Sequence, residues 1–178
     1  MTFKIYNQEN APKGSQELLE ASIKDFGMIP NLHAVLAESP ETLKAYKNIH
    51  QLFSNSSLNA DEKTVVWQTI NVEHGCHYCI PAHTAIAHMM KVRQELIDAL
   101  RNSSRMPTEK LQILHDTTLS LVRNRGKLSK QQQDDFFNAG FNNQQLLEIV
   151  LGISQKVISN YVNHLADTPV DDAFKKYQ

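Results

Sequence analysis

The chain has 178 residues, a length that fits one domain and can bury roughly two thirds of its unfolded surface. Its 18 basic and 19 acidic side chains nearly balance and form no basic run, which argues against nucleic acid or an anionic membrane as a partner. The apolar runs are far shorter than the ~20 residues that span a bilayer, and the first residues lack the apolar core of a secretory signal. We therefore expect a single cytoplasmic domain over residues 1–178.

The first half of the chain carries helical patterns with start and stop signals. Ser39 before Pro40 is an N-cap followed by a proline in the first helical turn. Asn59 with Glu62 three residues later resembles a capping box. The β-branched residues that follow would also suit a strand, but the cap and a length above ten residues favour a helix. The predicted segments are 15–26, 32–37, 40–53 and 59–73, with Gly75 supplying a left-handed turn.

The second half also predicts helices alone. Pro107 opens one of them, and Ser129 with Gln132 forms a second capping box. The predicted segments are 82–90, 93–100, 108–124, 129–139 and 143–165. Since no segment requires a strand, we expect an all-α fold. A short similarity between residues 93–100 and 143–150 is compatible with two related helical halves.

Residues 73–83 concentrate the reactive side chains, including both cysteines of the chain. If a helix begins near Cys76 or His77, then Cys76, Cys79 and His83 project from one of its faces. Pro81 fits such a helix only in the first turn, so the helix start lies close to the cysteines. Two cysteines three residues apart cannot join distant loops, and in a reducing compartment such a pair is more often catalytic or metal-binding.

This arrangement is suited to thiol redox chemistry. A helix N-terminus favours a thiolate, and in Cys-x-x-Cys motifs the thiol pKa can fall from ~8.5 to roughly 3.5–7.5. His83 can carry a proton, and Glu73 can hold or relay one through water. One cysteine could attack a hydroperoxide to give a sulfenic acid, and the other would then form a disulfide. The same side chains would also support dithiol–disulfide exchange without a peroxide.

Two other interpretations use the same residues. Glu73, Cys76, Cys79 and His83 could bind a metal or sense redox state, although tetrahedral geometry is demanding within one short segment. Alternatively, the cysteines could be two buried apolar residues. The redox interpretation is favoured, and it requires neither a cofactor nor a metal.

The pattern Glu73-x-x-Cys76-x-x-Cys79-x-x-x-His83 resembles the signature of the alkylhydroperoxidase D (AhpD)-like branch of the carboxymuconolactone decarboxylase superfamily. The resemblance extends over about residues 20–174 and includes the tail at 163–171. It implies an all-helical fold, assembly into trimers or hexamers, and an antioxidant, peroxiredoxin-like peroxidase that reduces hydroperoxides with a thiol or disulfide reductant. By the resemblance, Cys79 meets the peroxide, Cys76 resolves the intermediate, and His83 with Glu73 relays protons.

The chain departs from that branch at two positions. Tyr78 stands where the branch has a histidine before its second cysteine, and Thr64 stands where it has the relay glutamate. Glu73 is the expected substitute for that acid. The founding member of the superfamily decarboxylates a lactone without this cysteine pair, so the two cysteines argue against decarboxylation, which is kept as an alternative.

Overall fold

The computed structural model describes residues 3–178, and in that range all of the regular structure is helical. The helices are α1 (Lys13–Phe26), α2 (Asn31–Leu36), α3 (Pro40–Ser54), α4 (Ala60–Glu73), α5 (Cys79–Met89), α6 (Gln94–Arg101), α7 (Glu109–Arg123), α8 (Lys130–Asn138) and α9 (Asn143–Ala166), followed by a 3₁₀ turn at Lys175–Tyr177. The all-α prediction is confirmed. Within the described range, no helix is long and apolar enough to cross a membrane.

Local capping signals account for several of these helix starts. The Asn59 and Ser129 side chains each accept a hydrogen bond from the backbone three residues on, and Glu62 and Gln132 complete the two predicted capping boxes. A third box at Asn142 begins α9. The predicted helices are therefore present, with ends shifted by a few residues. The single-domain boundaries and the two related halves stay predictions.

Helix α4 occupies the centre of the fold and packs against α5, α6, α7 and α9. Every residue from Thr64 to Asn71 is buried. A helix that is covered on all sides has no need of a polar face, which explains why its β-branched sequence looks equally suited to a strand. Tertiary burial and the N-terminal cap together make it a helix.

Two apolar clusters fill the interior. The larger one joins α4, α6, α7, α8 and the first half of α9. The smaller one lies between α1, α2, α3 and the start of α5, and it contains both cysteines. The thiols therefore lie in an apolar environment rather than on a surface loop.

Gly152 marks the closest approach between α9 and its neighbours. A Cβ atom there would lie 2.7 Å from Phe53 Cε2 and 2.9 Å from Val66 Cγ1. Both of those side chains are fully buried, so neither can move aside freely. The absence of a side chain at residue 152 thus sets how closely α9 packs on α3 and α4.

We expect Gly152→Ala to lower the free energy of unfolding by about 1–3 kcal/mol through overpacking, although alanine is the better helix former. Denaturant unfolding measures the change. Ser154→Ala, at an exposed position of the same helix, is the control and should change stability by less than about 0.5 kcal/mol. Wild-type stability of Gly152→Ala would contradict this close packing.

Candidate active site

The two cysteines lie on either side of the start of α5. Gly75 adopts the predicted left-handed conformation, with φ of 61°, and the Cys76 amide then donates to the Asn71 carbonyl at 3.0 Å. Helix α5 begins at Cys79, and Pro81 falls in its first turn as expected. Cys76 lies outside the helix, in the preceding turn. The helix thus begins slightly later than the predicted start near Cys76 or His77, because Gly75 and the Asn71 contact turn the chain first, although the Ile80 amide already donates to the Cys76 carbonyl at 3.1 Å.

Cys79 is the cysteine that faces open space. It is only 2% exposed, yet it lines a cavity of about 630 Å³. Asn163 Nδ2 of α9 donates to its sulfur at 3.2 Å, while the Cys79 amide donates to Cys76 Sγ at 3.2 Å. Cys76 is fully buried behind it. Cys79 thus lines the cavity, whereas Cys76 is buried next to it and does not line the cavity.

The surroundings push the two thiol pKa values apart. Burial opposes ionisation of Cys79, but a hydrogen bond from the Cys76 thiol, the charge of Lys156 and the Asn163 amide together lower its pKa to about 6. The hydrogen bond to Cys79 and burial raise the pKa of Cys76 far above its usual range. At neutral pH the negative charge therefore resides on Cys79, and Cys76 keeps its proton.

His83 projects from α5 into the same cavity. Its Nε2 lies 2.6 Å from Lys156 Nζ, and its ring packs on Trp67 with a centroid separation of 4.9 Å. Burial, followed by the Lys156 charge, holds the pKa of His83 well below its usual range, so the ring is neutral. Its buried Nδ1 has no hydrogen-bond partner among residues 3–178.

Glu73 is not among the residues that line the cavity. Both of its carboxylate oxygens accept from Arg123 of α7, each at 2.7 Å, and this contact lowers the pKa of the carboxyl group. The structure therefore brings Cys76, Cys79 and His83 together but ties Glu73 to α7. Thr64, at the position of the expected relay acid, donates its hydroxyl proton to the Ala60 carbonyl.

The chain tail holds the active-site turn in place. Tyr78 donates to Asp171 at 2.5 Å and accepts from the Leu32 amide at 3.3 Å. His77 Nε2 lies 2.9 Å from the Thr168 carbonyl. Tyr78, in place of the expected histidine, thus joins the turn to α2 and to the tail that follows α9.

Much of the cavity wall is aromatic, although Asp25, Lys63 and Lys156 also line the cavity. Its rings follow one another at centroid distances of 5.6, 5.6, 6.3, 5.9 and 4.9 Å. In order they are Phe26, His33, Tyr46, His50, Trp67 and His83. Burial is the main cause that lowers the pKa of His33 to about 3 and of His50 to about 4, so both rings are neutral at pH 7. Such a wall suits an apolar organic molecule.

The four residues considered as metal ligands do not form a cluster. In the described part of the chain, no group of three or more His, Cys, Asp or Glu side chains could hold a metal ion. Glu73 is engaged by Arg123, and His83 Nε2 by Lys156. The donor set therefore does not fit a structural zinc site.

Sequence reasoning overlooked the contribution of α9. Lys156, Asn160 and Asn163 are all fully buried and face the site. Their spacing of four and three residues places them on one side of the helix. This polar stripe in an otherwise apolar helix is the feature of the sequence that could have indicated their role. Polar groups that become buried need hydrogen-bond partners, and they therefore mark a site or a network.

Comparison with known proteins agrees with the fold. Residues 40–108 match the Carboxymuconolactone decarboxylase family. No curated protein matches the chain. Among solved structures, an AhpD-core, peroxidase-related protein from Ralstonia eutropha JMP134 has a TM-score of 0.84 at 16% identity, covering 97% of this chain and 93% of that one.

Two further structures are similar over nearly the whole chain. A peroxidase-related protein from Silicibacter sp. TM1040 has a TM-score of 0.81 at 17% identity, with coverage of 98% and 92%. The debrominase Bmp8, in complex with 2,3,4-tribromopyrrole, has a TM-score of 0.78 at 15% identity, with coverage of 99% and 95%. Residues 40–108 thus match the carboxymuconolactone decarboxylase family, and the chain shares its fold with AhpD-core structures over nearly its whole length, in agreement with the resemblance found in the sequence.

Proposed function

We propose that the protein is a thiol-dependent peroxidase that reduces organic hydroperoxides through Cys79 and Cys76. The observation that carries this proposal is the unequal environment of the two sulfurs. Cys79 faces the cavity with a pKa of about 6, whereas Cys76 lies behind it as a protonated thiol. A nucleophilic thiolate beside a neutral resolving thiol is what a peroxide-driven disulfide cycle requires.

The cycle has two steps before reduction. The Cys79 thiolate attacks the terminal peroxide oxygen, the O–O bond breaks, and the alkoxide that leaves takes a proton to become the alcohol. The Cys76 thiol then attacks the sulfenic acid on Cys79, a disulfide forms, and the displaced hydroxide combines with the Cys76 proton to give water. A thiol or disulfide reductant restores both thiols.

His83 is the proton donor in this proposal because it is neutral and lines the cavity beside Cys79. Glu73 would act indirectly, by tying α4 to α7 through Arg123. The aromatic part of the wall favours an organic hydroperoxide over a small polar one. The peroxidase-related names of two structural neighbours agree with this function. Assembly into trimers or hexamers and a reducing, cytoplasmic setting complete the proposal.

A second candidate is reductive dehalogenation, which the aromatic cavity and the similarity to the debrominase favour. The Cys79 thiolate would take the halogen from an aromatic carbon, and the resulting carbanion would accept a proton. Cys76 would then displace halide from the sulfenyl halide as the disulfide forms. The proton lost by Cys76 balances the one that the carbanion takes up, so the products are the dehalogenated ring, halide and the same disulfide.

Cumene hydroperoxide, one equivalent per subunit, should consume two thiols and lower the intact mass by two hydrogens. Cys79→Ser should abolish turnover because it removes the nucleophile, and Cys76→Ser should permit one sulfenic acid per subunit at most. Thiol titration and intact mass spectrometry measure these outcomes.

Full peroxide consumption by the double variant would refute the peroxidase proposal, and activity independent of both cysteines would favour decarboxylation. Disulfide formation and bromide release with tribromopyrrole, without a reaction with peroxide, would favour the second candidate.

The hydrogen bond from Asn163 should be visible in the pH dependence of alkylation. In the wild type, the rate of Cys79 alkylation should rise with pH through a midpoint near 6, because only the thiolate reacts. Asn163→Ala removes a donor to the charged form and should move that midpoint upward by about one unit. Peptide mapping after iodoacetamide treatment measures it.

Asn143→Ala, at an exposed position of the same helix, should leave the midpoint in place. An unchanged midpoint in Asn163→Ala would show that the Asn163 contact does not stabilise the thiolate.

A further inference from the structure

Lys156 is a buried basic group in the middle of α9. Its side chain is 0% exposed, yet it borders the cavity together with Cys79 and His83. None of the salt bridges within residues 3–178 involves it. A buried ammonium without a carboxylate is costly, so it needs another negative partner. The group whose charge most favours the ammonium is Cys79.

The contact with His83 bears on which ring nitrogen carries the proton. Lys156 Nζ lies 2.6 Å from His83 Nε2, and the ring is neutral. If the ammonium donates to Nε2, the ring proton is on Nδ1. That nitrogen is buried and has no partner in the described chain. An N–H group without a partner would then belong to a side chain that lines the cavity together with Cys79.

We propose that Lys156 is a positioning residue that stores the proton for the peroxide step. Its ammonium balances the Cys79 thiolate, and it protonates His83 at Nε2 as His83 gives its Nδ1 proton to the leaving alkoxide. This inference rests on the proposed peroxidase function. The related enzymes have a relay glutamate where this chain has Thr64, and Glu73 cannot replace it because Arg123 binds its carboxylate. Lys156 thereby supplies the proton that such a glutamate would relay.

The protons and charges of the proposed reaction balance without an external acid. Before the reaction the site holds one thiolate, one ammonium and the Cys76 thiol. After the alcohol and water have left, it holds a disulfide and a neutral lysine amine. Three transferable hydrogens, one each from the ammonium, the Cys76 thiol and the hydroperoxide, end as one on the alcohol and two on water. Burial lowers the pKa of Lys156, which eases release of its proton.

The other titratable groups around Lys156 are uncharged. His83 of α5 and His50 of α3 both have lowered pKa values, to which the Lys156 charge contributes after burial. Cys76 keeps its proton. The Cys79 thiolate is thus the one negative charge that faces the ammonium from the described residues, and the two should be coupled.

Lys156→Met is the principal test, because methionine has a similar volume and no charge. The midpoint for Cys79 alkylation by iodoacetamide should rise by at least about one pH unit when the opposite charge is removed. Lys47→Met is the matched control. It removes a half-buried lysine of α3 whose ammonium donates to the Leu18 carbonyl and to Ser22, and it should leave the midpoint unchanged.

The proton role is tested by single-turnover reaction with cumene hydroperoxide at a pH where Cys79 is ionised in both proteins. The rate constant of Lys156→Met should remain about tenfold to hundredfold below that of the wild type, since the group that supplies the proton to His83 has been removed. Small alkylammonium ions should partly restore the rate in Lys156→Ala. The melting temperature of Lys156→Met should be equal or higher, because a buried charge is replaced by an apolar group.

An unchanged alkylation midpoint in Lys156→Met would overturn the charge role, and a wild-type peroxide rate once Cys79 is ionised would overturn the proton role. A lowered melting temperature with both readouts unchanged would reduce Lys156 to a packing residue. The alkylation assay contains no peroxide. If the wild type forms no disulfide with peroxide, the peroxidase function fails, while the coupling of Lys156 to Cys79 is still decided by alkylation.

Discussion

A negative charge on a buried sulfur is the constraint on which the rest of the site depends. Cys79 is 2% exposed within an apolar cluster, an environment that by itself favours the neutral thiol. The charge is compensated by the Cys76 thiol, the Asn163 amide and Lys156. Two of these come from α9, more than 75 positions along the chain from the cysteine. The reactivity of the motif is thus a property of the whole fold, because the motif alone contains only one of the compensating groups.

Helix α9 meets this requirement by turning a polar stripe inward. Gln155, Lys156, Asn160 and Asn163 are fully buried, whereas Leu147 and Leu165 are 70% and 72% exposed. A typical amphipathic helix on the surface of a protein would bury its apolar face and expose its polar one. The inversion is possible because most of the buried amide atoms have partners: Gln155 accepts from the Trp67 indole at 2.7 Å, and Asn160 donates to Asn71 at 3.0 Å. The stripe therefore connects α4, the active-site turn and α9 in one hydrogen-bonded network.

The sequence predicts the helices well because their signals are local. Caps such as Asn59 with Glu62 depend on residues three apart, and the left-handed turn at Gly75 needs only glycine. The positions of Cys79 and His83 also follow from local spacing. The environment of Glu73 does not, because Arg123 lies 50 residues further on. Nor could spacing show that Lys156 meets His83, since that contact joins residues 73 apart. Long-range charge pairing is the part of the site that the sequence leaves open.

The same electrostatics bears on how the proposed disulfide would be reduced. Groups that stabilise the Cys79 thiolate stabilise the dithiol state, and a stabilised dithiol makes the corresponding disulfide easier to reduce. Oxidation also removes the negative partner of Lys156, which then loses its proton or remains as an uncompensated buried charge. Reduction restores the ion pair. The arrangement around Cys79 therefore favours both attack by the thiolate and its regeneration. A structural disulfide would instead require surroundings that favour the disulfide over the dithiol.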